Sequence, residues 1–214
     1  MVTNKTYPLI VGIGGCSRVG KDTWATLLSE YLLENSHLPI DVKCFSLASK
    51  VKEECKQIVW DKYKLDVFSD NSEQKSTFRH LLVEYCDRKR YETNGQYFIN
   101  DLKLRVYNWW ERKNFSPRSI VIIPDVRQKQ YFYDEPDFAL RHGVFLTLDL
   151  IKGSELVQPA NDQEKINYPI LKSLTSRNYS WRSIDFSKLH PNERRSVRNN
   201  SVGELGSEIL AKLD

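Results

Sequence analysis

Residues 9 to 23, LIVGIGGCSRVGKDT, constrain the chain more than any other stretch, because an apolar run breaks there into a glycine-rich loop ending in Gly-Lys. Leu9, Ile10, Val11 and Ile13 suit a buried central strand. Gly15-Cys16-Ser17-Arg18-Val19-Gly20-Lys21 fits the GxxxxGK part of the phosphate-binding loop pattern, in which successive backbone N–H groups turn toward phosphate oxygens. A helix starting near Lys21 adds the positive end of its dipole, and the Lys21 ammonium has the reach for β- and γ-phosphates. Gly15, Ser17, Arg18, Val19, Gly20, Lys21, Asp22 and Thr23 are therefore the candidate ATP-phosphate residues. The pattern asks for a hydroxyl directly after the lysine to hold Mg²⁺, whereas Asp22 stands there and Thr23 follows one place later. No NKxD guanine-recognition tetrapeptide occurs, which argues against a GTPase.

The 214 residues suit one α/β domain spanning 1–214. No run approaches the roughly 18 apolar residues of a membrane helix, and the first residues, MVTNKTYP, lack the basic and apolar regions of a secretory signal. The expectation is a cytoplasmic protein without a membrane partner. Cys16, Cys44, Cys55 and Cys86 stand far apart with no CxxC pair, which argues against a zinc site and for reduced thiols. A formal net charge of +4 suits phosphate-rich substrates and nucleic acid equally well.

In chain order, Trp24, Leu27, Leu28, Tyr31 and Leu32 have the three-and-four spacing of an amphipathic helix over 23–35. A second strand is expected over 42–47, a helix from about 49 to 63, a polar loop over 66–74, and helices over 75–91 and 96–112. Strand, helix, strand implies a right-handed parallel crossover. Ile120 to Ile123 form the most strand-like run and end in Pro124-Asp125-Val126-Arg127. An acid at the carboxyl end of a buried strand faces the ligand crevice of a doubly wound sheet, so Asp125 joins Thr23 as a candidate for the metal or its water shell. A helix over 130–141 and a strand over 143–150 follow, after which periodicity fades from 152 to 191. A short strand at 196–198 and a helix over 201–213, with Ser201 as N-cap and Glu204 at the capping-box position, close the chain.

The loop GGCSRVGKDT, Lys75-xxx-Arg79, the Asp125-x-Arg127 pair and NNSVGEL near the end together resemble the phage deoxynucleoside monophosphate kinases. Animal phosphomevalonate kinases share the same skeleton, and in adenylate-kinase-like enzymes the slot after the lysine can also lack a hydroxyl. The resemblance implies a P-loop kinase fold: a parallel sheet flanked by helices, with a core of about 7–65 and 116–214. It also implies a helical acceptor-binding insertion of about 66–115. A candidate lid spans about 152–182. The family holds its acceptor phosphate with residues that here are Asp125, Arg127 and Arg79, and its aromatic position falls on Phe98. A glutamate expected four places after the second arginine is Tyr131, and the family's Leu-Leu-Gln reads Leu81-Leu82-Val83.

The chemistry points to the same residues, because phosphoryl transfer needs positioning and fixed cations more than a covalent partner. Lys21, Arg79, Arg127 and Asp125 are the candidate catalytic residues. Lys75, Arg90 and Phe98 join Arg79, Asp125 and Arg127 as candidates for the acceptor, with Arg88 behind them. Arg177, Arg182, Arg194 and Arg195 are candidate lid cations, while His80, His142 and His190 show no ligand spacing. The expected reaction moves the ATP γ-phosphoryl group onto a nucleoside monophosphate with Mg²⁺ as cofactor. Nucleic acid is not expected as a partner, and a homodimer is left open. The alternatives are a kinase for another phosphorylated acceptor such as phosphomevalonate, and a nucleotide- or nucleic-acid-binding protein without turnover.

Overall fold

In the computed structural model, β1 (Leu9–Gly14) is the middle of the sheet, and all of it except Leu9 is buried. The structure describes residues 7–127, 129–131, 134–152, 155, 156, 158, 159, 162–175, 178–182 and 202–213. On one side β1 pairs in parallel with β3 (Ser119–Val126), and beyond it lies β2 (Asp41–Cys44), also parallel. On the other side β1 pairs in parallel with β4 (Gly143–Lys152), which in turn pairs with the parallel β6 (Asn178–Arg182). A two-residue strand, β5 (Glu155–Leu156), turns back antiparallel on the end of β4. All eight residues of β3 are buried, as expected for a strand covered on both faces.

The helices cover both faces. α1 (Lys21–Asn35) follows β1; α2 (Ala48–Tyr63), α3 (Ser72–Glu92) and α4 (Gln96–Arg112) lie between β2 and β3. α5 (Glu135–His142) joins β3 to β4, α6 (Asp162–Ser173) lies between β5 and β6, and α7 (Gly203–Ala211) comes last. Alternate strand residues point to opposite faces, and the core divides accordingly. Ile10, Val121, Ile123 and Phe145 pack with Val51, Cys55, Phe78, Phe98, Leu102 and Ala139 from α2 to α5. Val11, Ile13, Ile120, Ile122 and Leu146 pack with Trp24, Leu28 and Leu32 of α1 and Leu205 and Ile209 of α7. The chain therefore has the α/β class and parallel sheet expected of it, and no helix among the described residues is long and apolar enough to cross a membrane. All four cysteines are free.

Several boundaries differ from expectation, each for a local reason. α3 begins at Ser72, inside the expected loop, because the Asn71 side chain accepts from the N–H groups of Glu73 and Gln74 at 2.9 and 3.1 Å. α5 begins at Glu135, five residues later than expected, where Asp134 forms a capping box with Asp137 and Pro136 sits in the first turn. β2 ends at Cys44 rather than at 47. Residues 152–182 hold β5, α6 and β6; α6 escapes a periodicity reading because it carries Pro169 and, among its residues, buries only Asn167 and Leu171. The strand expected at 196–198 and the Ser201 cap lie outside the described residues, as do Arg177, Arg194, Arg195 and His190, while Arg182 falls in β6. α7 is preceded by Val202 and has Glu204 in its first turn.

The β1–β4 contact tolerates no side chain at Gly143, where a Cβ would sit 2.1 Å from the main-chain oxygen of Ile10 and 2.8 Å from its nitrogen. Main chain inside a sheet cannot swing aside. Gly143→Ala is expected to lower stability by about 3 kcal/mol, read as a lower urea midpoint at unchanged m-value; an unchanged midpoint would contradict this packing.

Candidate functional site

At the end of β1 the chain turns at Gly15, whose φ of 142° lies outside the range L side chains favour and where a Cβ would stand 2.6 Å from the Leu148 oxygen. The loop runs to Gly20, in the left-handed region, and α1 starts at Lys21 with no side-chain cap on its first turn. Its N–H groups and the positive end of its dipole are left to the loop. Within that loop the Ser17 N–H donates to Glu164 Oε1 at 3.1 Å, and the Ser17 hydroxyl donates to the same oxygen. Lys21 is 6% exposed and turned back on the loop, its Nζ donating to Gly15 O at 2.9 Å and Cys16 O at 2.6 Å. Burial, and next the nearby Arg127 cation, push the Lys21 pKa down to about 8, against the opposing pull of Glu164, Asp22 and Asp125.

The register places the end of β3 beside this loop, Gly14 opposite Val126. Asp125 there accepts from Ser46 Oγ at 2.6 Å, from Leu47 N at 2.9 Å and from Ala48 N at 2.8 Å. It thus caps α2, which has no capping side chain of its own, and an anion at that position also meets the helix dipole favourably. Arg105 holds the same corner from α4, donating to Ser46 O at 3.0 Å and Ser49 Oγ at 3.1 Å.

A cavity of about 570 Å³ opens between these elements, within the range of small-molecule sites. Ser17, Arg18, Gly20, Lys21, Asp22 and Thr23 line one end. Asp125 and Arg127 come from β3 and its exit, and Lys75, Phe78, Arg79, Leu82, Val83 and Cys86 from α3. Their spacing of three and four puts these α3 residues on one helix face, and Phe98 and Val51 complete an apolar wall. Arg79 and Arg127 are exposed, and neither makes an ion pair with a described residue. Lys75 lines the cavity while paired to Asp70 at 3.2 Å.

Two expectations need correcting. Arg90 does not reach the cavity: it is 0% exposed, bonded to Asp134 through NH2 and to Glu135 Oε1 through NH1 at 2.8 Å. Axial position explains this: Arg90 shares the helix face of Arg79 and Cys86, but eleven residues at about 1.5 Å each carry it past the cavity's end at Cys86. Its partner Glu135 receives the Arg127 N–H at 2.7 Å, so Arg90 braces the Arg127 turn from behind instead of touching a ligand. Arg88 is exposed with its guanidinium over the Tyr85 ring at 5.3 Å, and does not line the cavity either. His80 meets Tyr63 OH at 3.1 Å and His142 packs on Tyr7 and Phe138, and neither lines the cavity.

No group of three or more His, Cys, Asp and Glu that could hold a metal ion occurs among the described residues. The oxygen-bearing side chains at the loop end are Ser17, Asp22, Thr23 and, beyond them, Asp125. That small set suits Mg²⁺ carried by phosphates, which needs only one or two protein oxygens. Sequence reasoning missed Ser46, Arg105, Glu135 and Glu164. Ser46 and Glu135 had a local signal, one just after a strand and one beside a helix cap; Arg105 and Glu164 had none.

Two measurements follow from this geometry. Arg90→Ala leaves two buried carboxylates without their cation and is expected to cost about 3 to 5 kcal/mol in urea unfolding; a loss below about 1 kcal/mol would contradict the buried pairing. Lys21, held below its ordinary 10.5, costs folding stability below about pH 8, where it is protonated, and that cost is relieved as pH rises toward 10.5. An anion at the ammonium raises the pKa again, so binding takes up a proton above about pH 8. The ADP affinity is expected to fall by up to tenfold per pH unit from there, with proton uptake visible by calorimetry in buffers of different ionisation heat. A pH-independent affinity would remove Lys21 from anion binding.

No protein-family model matches the chain, and no curated protein does.

Proposed function

We propose that the protein is a P-loop kinase that transfers the ATP γ-phosphoryl group to the phosphate of a nucleoside monophosphate, giving the diphosphate. The observation that carries this reading is one cavity shared by the glycine-rich loop at one end and by Arg79 and Arg127 beside an apolar wall at the other. A γ-phosphoryl group and an acceptor phosphate repel each other in water, and fixed cations between them in a site closed to water offset that repulsion. Arginine suits the task because its fork grips phosphate bidentately and stays charged. Arg127 and Arg79 would hold the acceptor phosphate from two elements, with Lys75 behind them, while Phe78, Leu82, Val83 and Phe98 would bound its organic part.

In this scheme Lys21 leaves the Gly15 and Cys16 carbonyls to meet the β- and γ-phosphate oxygens, exchanging one set of acceptors for another. Thr23, Asp22 and Asp125 are the protein oxygens that would hold Mg²⁺, which would neutralise phosphate oxygen charge there. Asp125 keeps its three donors and so orients the α2 end of the site whether or not it touches metal-bound water. Within the candidate lid range, α6 meets the loop through Glu164.

A kinase for another phosphate ester, phosphomevalonate above all, is the second reading. Tyr131 stands where the resembled family has an acid, and it packs on Gly95 outside the cavity. No carboxylate is therefore offered from that position to read a base or sugar.

ADP release measured against a panel of ribo- and deoxynucleoside monophosphates and phosphomevalonate tests both readings. Absence of turnover with every acceptor, together with tight DNA binding that weakens steeply with salt, would overturn both in favour of a nucleic-acid binder. Within the kinase reading, Arg127→Ala is expected to lower acceptor kcat/KM by about thirtyfold or more and Arg79→Ala by roughly tenfold, with the ATP Kd unchanged. Parallel loss of ATP affinity would move these arginines to the donor side.

A further inference from the structure

Glu164 sits where the loop should receive an anion. Ser17 occupies the third position of the seven-residue loop motif, and both of its donors, N–H and hydroxyl, converge on a single Glu164 oxygen. The match is chemical as well as spatial, since carboxylate and phosphate oxygens satisfy the same donors. Lys21 is satisfied internally at the same time, by the Gly15 and Cys16 carbonyls. The Glu164 charge is close enough to favour the protonated ammonium.

We infer that α6 is a latch on the donor site, its Glu164 carboxylate standing in for a phosphate until a nucleoside triphosphate displaces it. This rests on reading the loop as the triphosphate site. Two oxyanions cannot share Ser17 without strong like-charge repulsion, so nucleotide and Glu164 exclude each other. The far half of α6 is anchored separately: Tyr168 OH donates to Asp149 on β4, Lys172 Nζ meets Asp149 Oδ2 at 2.9 Å, and Leu171 is 1% exposed. Pro169 stands between Glu164 and the Leu171 and Lys172 anchors, directly after Tyr168. Having no N–H, it cannot bond the Lys165 carbonyl, so the turn bearing Glu164 joins the anchored half through a helix with one rung missing. Release of Glu164 takes one tie from that turn, while Gln163 Oε1 still accepts from Gln130 Nε2 and Asn167 Oδ1 from Lys129 N, each at 3.3 Å.

The energetic consequence is reciprocal. The closed contact lowers the apparent affinity for triphosphate by the fraction of open protein, and bound triphosphate must loosen the first turn of α6 to the same extent. Donor binding thereby loosens the first turn of α6, which meets the loop at Ser17.

The test uses the full chain, with ATP titrated calorimetrically into the natural protein, Glu164→Ala and Glu164→Gln, circular dichroism confirming that each variant is folded. Glu164→Ala is expected to tighten the ATP Kd at least fivefold, because the loop donors no longer have a resident anion to exchange, and Glu164→Gln, which keeps the shape without the charge, by less. In the natural protein, ATP is expected to speed amide exchange in residues 162–166. An ATP Kd within twofold of the natural protein's in Glu164→Ala, a weaker one, or slower exchange in α6 on adding ATP would overturn the latch while leaving the loop as a triphosphate site. ATP binding to none of the three proteins would overturn the reading of the loop, and the latch with it.

Discussion

The parallel pairing of β1 with β3 is the interaction on which the rest of the site depends. It sets Gly14 opposite Val126, so the glycine-rich loop and the Asp125–Arg127 turn leave the same end of the sheet side by side. Chain order reverses across β1, with β3 on one flank and β4 on the other, and crevices of open parallel sheets form at such switch points. From there the dependence runs outward. Asp125 fixes the start of α2 through Leu47 and Ala48, Arg105 ties that corner to α4, and α3 lies across the opening with one face turned inward.

The strong charges around the cavity divide into two kinds. Lys21, Asp125, Arg90 and Glu164 are each held by protein partners, as burial of charge requires. Arg79 and Arg127 are exposed instead and point their charge at a space large enough for a ligand. The contrast separates groups that shape the site from groups offered to a ligand, and it explains how Arg90, chemically equal to Arg79, performs a different task. Its guanidinium links α3 to the N-terminus of α5, and through Glu135 reaches the main chain at Arg127.

Much of the fold was legible because its signals are local. The apolar runs 9–13 and 120–123 read as buried strands, and the three-and-four spacing of Trp24, Leu28 and Leu32 read as the helix that packs beneath them. Starting points were less legible, since α3 and α5 take theirs from Asn71 and Asp134, single side chains that cap equally well in a loop. α6 was not legible at all: a proline within it and few buried residues leave no stripe to detect. Of the expected site residues, Lys21, Arg79, Arg127, Asp125, Lys75 and Phe98 meet at one cavity, and Arg90 does not.

By itself the sequence determined the strand, loop and helix around Lys21, the α/β class and about half of the residues that line the cavity, because backbone conformation and period follow from neighbours a few positions apart. Tertiary structure alone decided which cations face the cavity and which anions occupy its donors. Ser17 and Glu164 meet across 147 positions and Arg90 and Glu135 across 45. An arginine or glutamate looks the same in a sequence whether it is solvated, paired in the core or aimed at a ligand. Only the packing of distant elements removes water from one of them and so fixes its partner.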